Sequence, residues 1–380
     1  MMAFDTPVSD ANSGAFGATL TVDLGALVSN WRALGERAGT EAGAVVKADA
    51  YGIGIEPAVT ALSRAGCRSF FVAHVSEGIR ARSVAPEATI YVLNGLLPGH
   101  CDVFAEHELS PVLGSHEELL EWAAFRQTGA NARPAALHVD TAMNRLGLWP
   151  GEGLNLAREK AGAITAAGIG LVMSHFASSE DETDPANARQ IAAFAEIAAA
   201  FPGLPASLKN SSGHFLRNCP SYELTRPGYA LYGGNPTPGK PNPMLPVIGL
   251  ESRIIQVREV EAGVQVGYNG RWTAKRKSRL ATICLGYADG YPRNASWTDA
   301  RTGGSAVIGG ILCPFVGTVS MDLIIVDVTE LPSPGAKRGD PVTLIGGPLD
   351  LETVGAGAKT IGYEILTNLG RRHARRYVGL

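Results

Sequence analysis

The chain contains no Cys-x-x-Cys pair, although Cys67, Cys101, Cys219, Cys284 and Cys313 are scattered along its 380 residues. An odd, dispersed set of cysteines argues against a zinc site or a disulfide framework and fits a reducing compartment. Neither sign of charge dominates: 33 Lys and Arg against 36 Asp and Glu leave a formal net charge of −3, which implies neither a nucleic-acid surface nor a membrane surface. No apolar run is long enough to cross a bilayer. Residues 1–21 lack a basic segment followed by an apolar one, so no secretory signal is expected and the cytoplasm is the default compartment. No Gly-x-Gly-x-x-Gly follows an early strand-like run, which takes support from a dinucleotide-binding sheet. What is there is ordinary globular composition, 45% hydrophobic and 18% charged, with enough length for two domains.

The segment Ala44-Val45-Val46-Lys47-Ala48-Asp49-Ala50-Tyr51-Gly52-Ile53-Gly54 carries the most information. A short β-branched run ends in one lysine, and a tyrosine and two glycines follow. A lysine at a buried strand end is costly unless it is paired or its pKa shifts. One use of such a lysine is a Schiff base with an aldehyde cofactor, with Tyr51 and the glycines near a phosphate. The plainer alternative is a surface lysine followed by an ordinary turn. The segment by itself does not separate the two.

From about Thr19 to Arg226, short apolar runs alternate with helical patterns. The runs are 43–47, 69–73, 89–93, 109–113, 135–140, 169–174, 205–209 and 222–226; helical patterns include 116–127, 152–167 and 186–201. Such alternation argues for a parallel sheet, and eight units suit a (β/α)8 TIM-type barrel, with an open doubly wound sheet as the alternative. The breaker-rich stretch 236–243 reads as a linker. Beyond it, short runs at 253–260, 280–285, 306–311, 323–328 and 341–345 have the grammar of a mainly β domain, and a helical pattern returns only at 353–370. The expected organisation is a barrel over 1–242 and a β-domain over 243–380. The segment before Thr19 could add a strand to either domain, the C-terminal one included.

Catalytic groups of this barrel class stand at the C-terminal ends of the strands. There the sequence places Lys47, then Asp140 running on to Arg145, then His175, then Asn210-Ser211-Ser212-Gly213 and Arg226-Pro227-Gly228. One count puts Asp140 at the end of the sixth strand and His175 at the end of the seventh. Each group has a bland reading. His175 could be a core histidine, Arg145 could pair with Asp140, the Asn-Ser-Ser-Gly turn could be a plain helix cap, and the Arg-Pro-Gly turn could be only a turn. The other reading of the Asn-Ser-Ser-Gly turn is an anion site of amides and hydroxyls. The bland readings weaken because all of them would have to fall on one rim by chance.

These segments, together with His138-Val139-Asp140-Thr141-Ala142-Met143-Asn144-Arg145-Leu146-Gly147, Ser174-His175-Phe176-Ala177, Arg226-Pro227-Gly228-Tyr229-Ala230-Leu231-Tyr232-Gly233, Val266-Gly267-Tyr268, Gly286-Tyr287-Ala288-Asp289-Gly290-Tyr291, Ser320-Met321-Asp322 and Gly362-Tyr363-Glu364, resemble those of the alanine racemase family, in the family's order and over nearly the whole chain. The resemblance implies a pyridoxal 5′-phosphate enzyme that interconverts L- and D-alanine, without a metal, as a head-to-tail homodimer whose active sites are shared between subunits. It implies that Lys47 holds the cofactor covalently, and that Tyr51, Asn210, Ser211, Gly228, Tyr229 and Tyr363 lie about it, the phosphate taking amides of Gly228 and Tyr229. Arg226 would face the pyridine nitrogen, and His175 would lie behind the ring and hydrogen-bond towards Arg226. Tyr268 from the partner subunit would be the second acid–base group. Tyr287 and Met321 of the partner would close the substrate pocket, with Arg145 reaching the substrate carboxylate.

One position departs from the family pattern. His138 stands where many members have a carbamylated lysine that orients the arginine matched here by Arg145, so a histidine, an anion or water must take over that task. An arginine facing the ring nitrogen keeps its own proton and so weakens the electron sink, which disfavours a decarboxylase on the same scaffold. The absent secretory signal disfavours a periplasmic broad-range racemase, and the bulky Tyr268, Tyr287 and Met321 suit a small side chain, with serine still possible. A non-catalytic cofactor carrier would need neither the β-domain nor Tyr268. Whether the product serves cell-wall synthesis or alanine breakdown is open at this level.

Overall fold

A computed structural model describes residues 16–159, 161–332 and 334–379. Two compact units divide the chain: one is Leu27–Leu245, and the other joins Met1–Ala26 to Pro246–Leu380.

In the first unit, seven parallel strands follow one another in sequence order: Ala44–Val45, Ser69–Val72, Thr89–Val92, Ser110–Leu113, Ala135–His138, Ile169–Met173 and Ala206–Ser207. Several are buried on both faces, as Ser69–Val72, Ser110–Leu113 and Ala135–His138 are along their whole length. That is why they read as continuous apolar runs rather than alternating ones. The strand Leu224–Thr225, which pairs in parallel with Glu41–Ala42, closes the ring. The Arg226 N–H donates to Lys209 O (2.8 Å) on one side, and the Gly43 and Val45 N–H groups donate to Thr225 O and Pro227 O (both 2.9 Å) on the other. The eight units expected from sequence are thus the eight staves of a (β/α)8 barrel. The strand count shifts by one: Asp140 follows the fifth stave and His175 the sixth, because no extra strand precedes Glu41 in this unit.

Helix ends have local causes. Ser115 accepts the Glu118 N–H (3.2 Å) at the start of His116–Gln127, and Asp184 accepts the Ala186 N–H (2.8 Å) ahead of Pro185–Ala200, with proline in the first turn where a missing N–H costs least. The pattern 152–167 is realised as two helices, Pro150–Glu159 and Ala161–Ala167.

The second unit is mainly β. Its long strand Ile248–Val260 pairs antiparallel with Ala18–Asp23, Ser278–Ile283 and Pro341–Ile345, and Ala374–Val378 lies parallel to Ala18–Asp23. Of the segment before Thr19, residues 1–15 lie outside the described residues. The run 306–311 is not one strand: Ser305–Ile308 and Ile311–Pro314 form a hairpin across Gly309-Gly310 (φ 58° and 82°), the two left-handed positions a tight hairpin turn demands. The pattern 353–370 likewise breaks into Leu351–Gly357 and Gly362–Thr367, with Lys359 at φ 56° between them. Among the described residues no helix is long and apolar enough to cross a membrane.

Gly290 shows how tightly this unit fixes its turns. It has φ 93°, and an added Cβ would lie 1.7 Å from Asn368 O. Gly290→Ala is therefore expected to destabilise the fold by roughly 2 kcal/mol or more, seen as an earlier urea midpoint; an unchanged midpoint would show that the turn relaxes freely.

Candidate active site

Lys47 ends the first stave and opens a turn of unusual hand. Ala48, Asp49, Ala50 and Tyr51 all have positive φ (53°, 56°, 52° and 52°), so the segment coils left-handedly before Gly52 (φ 82°) and Gly54 (φ 104°) release it. Burial and the positive charge of Arg145 hold the Lys47 amine below its ordinary pKa, and Glu77 acts in the opposite sense. An amine depressed in this way is closer to the neutral form that attacks a carbonyl.

The left-handed turn carries Tyr51 inward. Its ring stacks on Tyr232 (centroids 4.5 Å apart), whose hydroxyl donates to Val45 O at 2.8 Å. The Tyr51 hydroxyl lies against Gly228: a Cβ there would sit 2.4 Å from it, so only glycine admits the tyrosine. Ser211 meets the same place from the neighbouring stave, its hydroxyl oxygen accepting the N–H groups of Gly228 (3.0 Å) and Ala230 (3.1 Å). Tyr51, Ser211 and Gly228, which sequence alone could only propose together, converge at the seam where the last stave meets the first. The Ser211 hydroxyl uses its lone pairs on backbone donors and keeps its proton to give. The Gly228 and Ala230 N–H groups are committed to Ser211 Oγ, so the seam brings together the Ser211 and Tyr51 hydroxyls beside the Gly228 turn, a setting suited to a phosphate. Tyr229 is buried beside Gly228 in the turn Tyr229–Tyr232. Asn210 supports rather than reaches: its side-chain oxygen accepts from the Gly213 N–H (2.9 Å) and the Ser179 hydroxyl (3.0 Å), holding the turn that presents Ser211.

Arg226 is buried with only neutral hydrogen-bond partners, the Ser207 hydroxyl and the Ser174 carbonyl, and burial draws it down to about 9. These bonds of Arg226 do not run to the His175 ring. His175 is pulled down to about 3, by burial first and then by the charges of Arg226, Arg145 and Lys47. Burial and Arg226 likewise take His138 to about 4, and its Nε2 is buried without a hydrogen-bond partner. The position matched to a carbamylated lysine is therefore a neutral ring.

The Asp140 carboxylate accepts the N–H groups of Ala142 (2.8 Å), Met143 (2.7 Å) and Arg145 (3.2 Å). It shapes the loop through backbone, which replaces the side-chain ion pair weighed from sequence and leaves the exposed Arg145 guanidinium for other work. Gln190, from helix Pro185–Ala200, was not visible in any local pattern. Its amide donates to the Thr141 hydroxyl (3.2 Å) and His175 O (3.0 Å) and accepts from the Ala177 N–H (2.9 Å), tying two stave ends together across 49 residues of sequence.

The remaining candidates lie on the β-unit. Tyr268 opens the turn Tyr268–Gly270 with its side chain 69% exposed. Tyr287 and Met321 are brought together: the Tyr287 N–H donates to Ser320 O (3.0 Å) and the Ala288 N–H to Met321 O (2.9 Å), and both side chains are exposed. Gly286 permits this approach, since a Cβ there would be 2.3 Å from Met321 O. Tyr363 is half-buried in helix Gly362–Thr367.

Residues 22–236 match the family model for the alanine racemase N-terminal domain and residues 247–377 the model for its C-terminal domain. The chain belongs to the alanine racemase family. An alanine racemase of Methylobacterium sp. (strain 4-46) is 57% identical over 95% of this chain and 98% of its own length. One from Methylobacterium nodulans is 54% identical over 96% and 97%. The crystal structure of alanine racemase from Bartonella henselae with covalently bound pyridoxal phosphate is similar at a TM-score of 0.89, with 39% identity over 95% of this chain and 99% of that one. The fold, the class of enzyme and the motif order expected from sequence agree with this alanine racemase membership.

A pH prediction follows from the two depressed imidazoles. Between their folded values, about 3 for His175 and about 4 for His138, and the ordinary histidine value of 6.5, the unfolded chain binds protons that the folded chain refuses. Stability from these groups is thus full above pH 6.5 and is lost as pH falls towards 4. In the spectrum of the folded protein neither imidazole should titrate between pH 5 and 8; a midpoint near 6.5 for either would contradict the assignment.

Proposed function

We propose that the chain is a pyridoxal 5′-phosphate-dependent alanine racemase that interconverts L- and D-alanine with two bases, Lys47 and Tyr268. The observation that carries the reading is the convergence of the Ser211 and Tyr51 hydroxyls at the Gly228 turn, on the same barrel rim as the depressed amine of Lys47. When bound, the cofactor supplies the electron sink that acidifies the Cα proton of the amino acid.

The chain's own residues do the rest. Lys47 anchors the cofactor and, released from it, holds or returns a proton on one face of the substrate Cα. Tyr268, presented by a second subunit of a head-to-tail homodimer, serves the opposite face; its exposure on the β-unit suits a residue that works on a neighbouring copy. Tyr51, Ser211 and the amides at Gly228 and Tyr229, with Tyr363, hold the phosphate, while Asn210 sets the turn. Arg226, confined among neutral acceptors, keeps its proton and leaves the ring nitrogen facing it unprotonated. His175 packs behind it as a neutral ring. Arg145, free of the Asp140 carboxylate, binds the substrate carboxylate. Tyr287 and Met321 narrow the pocket to a small side chain such as methyl. A cytoplasmic enzyme of this kind supplies D-alanine for peptidoglycan or feeds alanine catabolism.

The test is a panel of L-amino acids assayed for the D-form. L-alanine should lead, serine should follow weakly if at all, and Lys47→Ala should abolish turnover; undiminished activity in that variant would remove the core of the reading. If Lys47 takes the proton from D-alanine and Tyr268 that from L-alanine, Tyr268→Phe should slow exchange of the Cα proton of L-alanine with solvent by about a hundredfold or more and affect D-alanine less, while equal exchange rates in wild type and variant would sink that assignment.

A further inference from the structure

The left-handed turn after Lys47 closes backbone bonds of its own, Gly52 N–H to Ala48 O (2.8 Å) and Gly54 N–H to Asp49 O (2.9 Å), yet its hand remains costly. L-residues in this region cost roughly 1–2 kcal/mol each, and four in a row with side chains form the longest such run among the described residues. Strain of this size persists only where surrounding groups over-determine it.

Beside the packing of Tyr51 on Tyr232, side-chain support for Ala48 and Asp49 comes from helix Val75–Val84, which follows the neighbouring stave. Glu77 accepts the Ala48 N–H through Oε1 at 2.6 Å, while its Oε2 accepts the N–H groups of Ala73 (2.8 Å) and His74 (3.1 Å). The carboxylate therefore spans the ends of the first and second staves. Arg80, three residues on and so on the same helix face, pairs with Asp49 at 2.7 Å and with both oxygens of Glu56 at 2.5 and 2.6 Å. Asp49 in turn accepts the Ile55 N–H at 3.0 Å. Two consecutive residues of the strained turn are thus gripped by two side chains of one helix, and the first of them is bonded to the residue next to the lysine.

We propose that Glu77 is a positioning residue for Lys47, holding the Ala48 amide so that the left-handed turn presents the lysine amine to the cofactor. This rests on Lys47 being the anchor, as set out above. Glu77 has a second consequence, since it opposes the charge of Arg145 at the amine. The charged and titratable groups that face this place are Arg145 from the Asp140 loop, His175 from the sixth stave end, and Asp49 and Arg80 around Glu77.

The experiment uses the cofactor-loaded protein and reads the pH midpoint of its visible absorption band, which needs no turnover, beside kcat and KM for alanine. Glu77→Gln loses the charge, and its amide N–H groups face backbone donors. The band midpoint should move down by about one pH unit, with kcat lowered about tenfold or more. Glu77→Asp keeps the charge but draws the carboxylate back by one methylene. Its midpoint should stay near wild type while kcat falls and KM changes by less than about twofold. A role confined to stability would lower the melting temperature in both variants and leave midpoint and kcat alone, which would overturn the proposal, as would full turnover in Glu77→Asp. Borohydride reduction and peptide mapping separate the two levels. A label away from Lys47 removes the anchor reading, whereas a label on Lys47 with an unmoved midpoint in Glu77→Gln removes only the role given to Glu77.

Discussion

A (β/α)8 barrel has to join its last strand to its first, and in this chain the joint is a pairing of only two residues on each side. Leu224–Thr225 is short, so its pairing with Glu41–Ala42 is extended by flanking backbone bonds: Arg226 to Lys209 on one side, and Gly43 and Val45 to Thr225 and Pro227 on the other. Everything chemically distinctive is attached to this seam. Lys47 leaves the first stave just after Val45, Ser211 leaves the seventh just after Lys209, and Arg226 and Gly228 leave the eighth. The Tyr232 hydroxyl on Val45 O and the two amides on the Ser211 hydroxyl reinforce the same joint from the loop side. The bonds that close the barrel therefore also set the spacing between lysine, hydroxyl, guanidinium and glycine.

The electrostatics of the rim follow from what surrounds the seam. Lys47, Arg145 and Arg226 bring three cationic groups, and the two nearby imidazoles are kept neutral by burial and by those same charges. The nearby carboxylates are held by backbone rather than paired with the cations, Asp140 by three amides and Glu77 by three others, and they offset the positive charge only in part. Such a rim favours anions, and both a phosphate and an amino-acid carboxylate answer to it. The neutral state of His138 fits this balance. A carbamate would bring a negative charge next to Arg226 and Arg145, whereas a buried imidazole with an unpartnered Nε2 leaves the field of both arginines undiminished.

The staves and most helices were legible because a buried parallel strand writes itself as an unbroken apolar run and a helix buried on one face as a periodic one, as at 116–127 and 186–201. The β-unit was legible to the same extent, except where two strands and a glycine turn fused into one apparent run at 306–311. At the site, individual residues such as Lys47, Ser211 and Arg226 could be placed on one rim from strand ends alone. Their roles came from the resemblance of ordered motifs, since nothing in the local pattern separates a phosphate-binding turn from a helix cap. The supports were invisible for a physical reason. Glu77 grips Ala48 across 29 residues and Gln190 reaches Thr141 across 49, and neither side chain has a local signature.

The turn at Lys47 shows the same limit in sharper form. Ala48-Asp49-Ala50 is a sequence that propensity assigns to a right-handed helix, alanine being the best helix former. The structure winds it the other way because local preference is outweighed by several fixed bonds at once: Ala48 to Glu77, Asp49 to Arg80 and Ile55, and the packing of Tyr51 between Tyr232 and Gly228. A right-handed continuation would carry the chain on in a different direction and break with all of these partners together. The tyrosine of the phosphate cradle and the lysine of the rim are thus coupled through four strained residues, so that whatever steadies one steadies the other. Backbone strain placed between two functional side chains, and held from a neighbouring helix, is how this barrel turns a loop into a rigid part of the site.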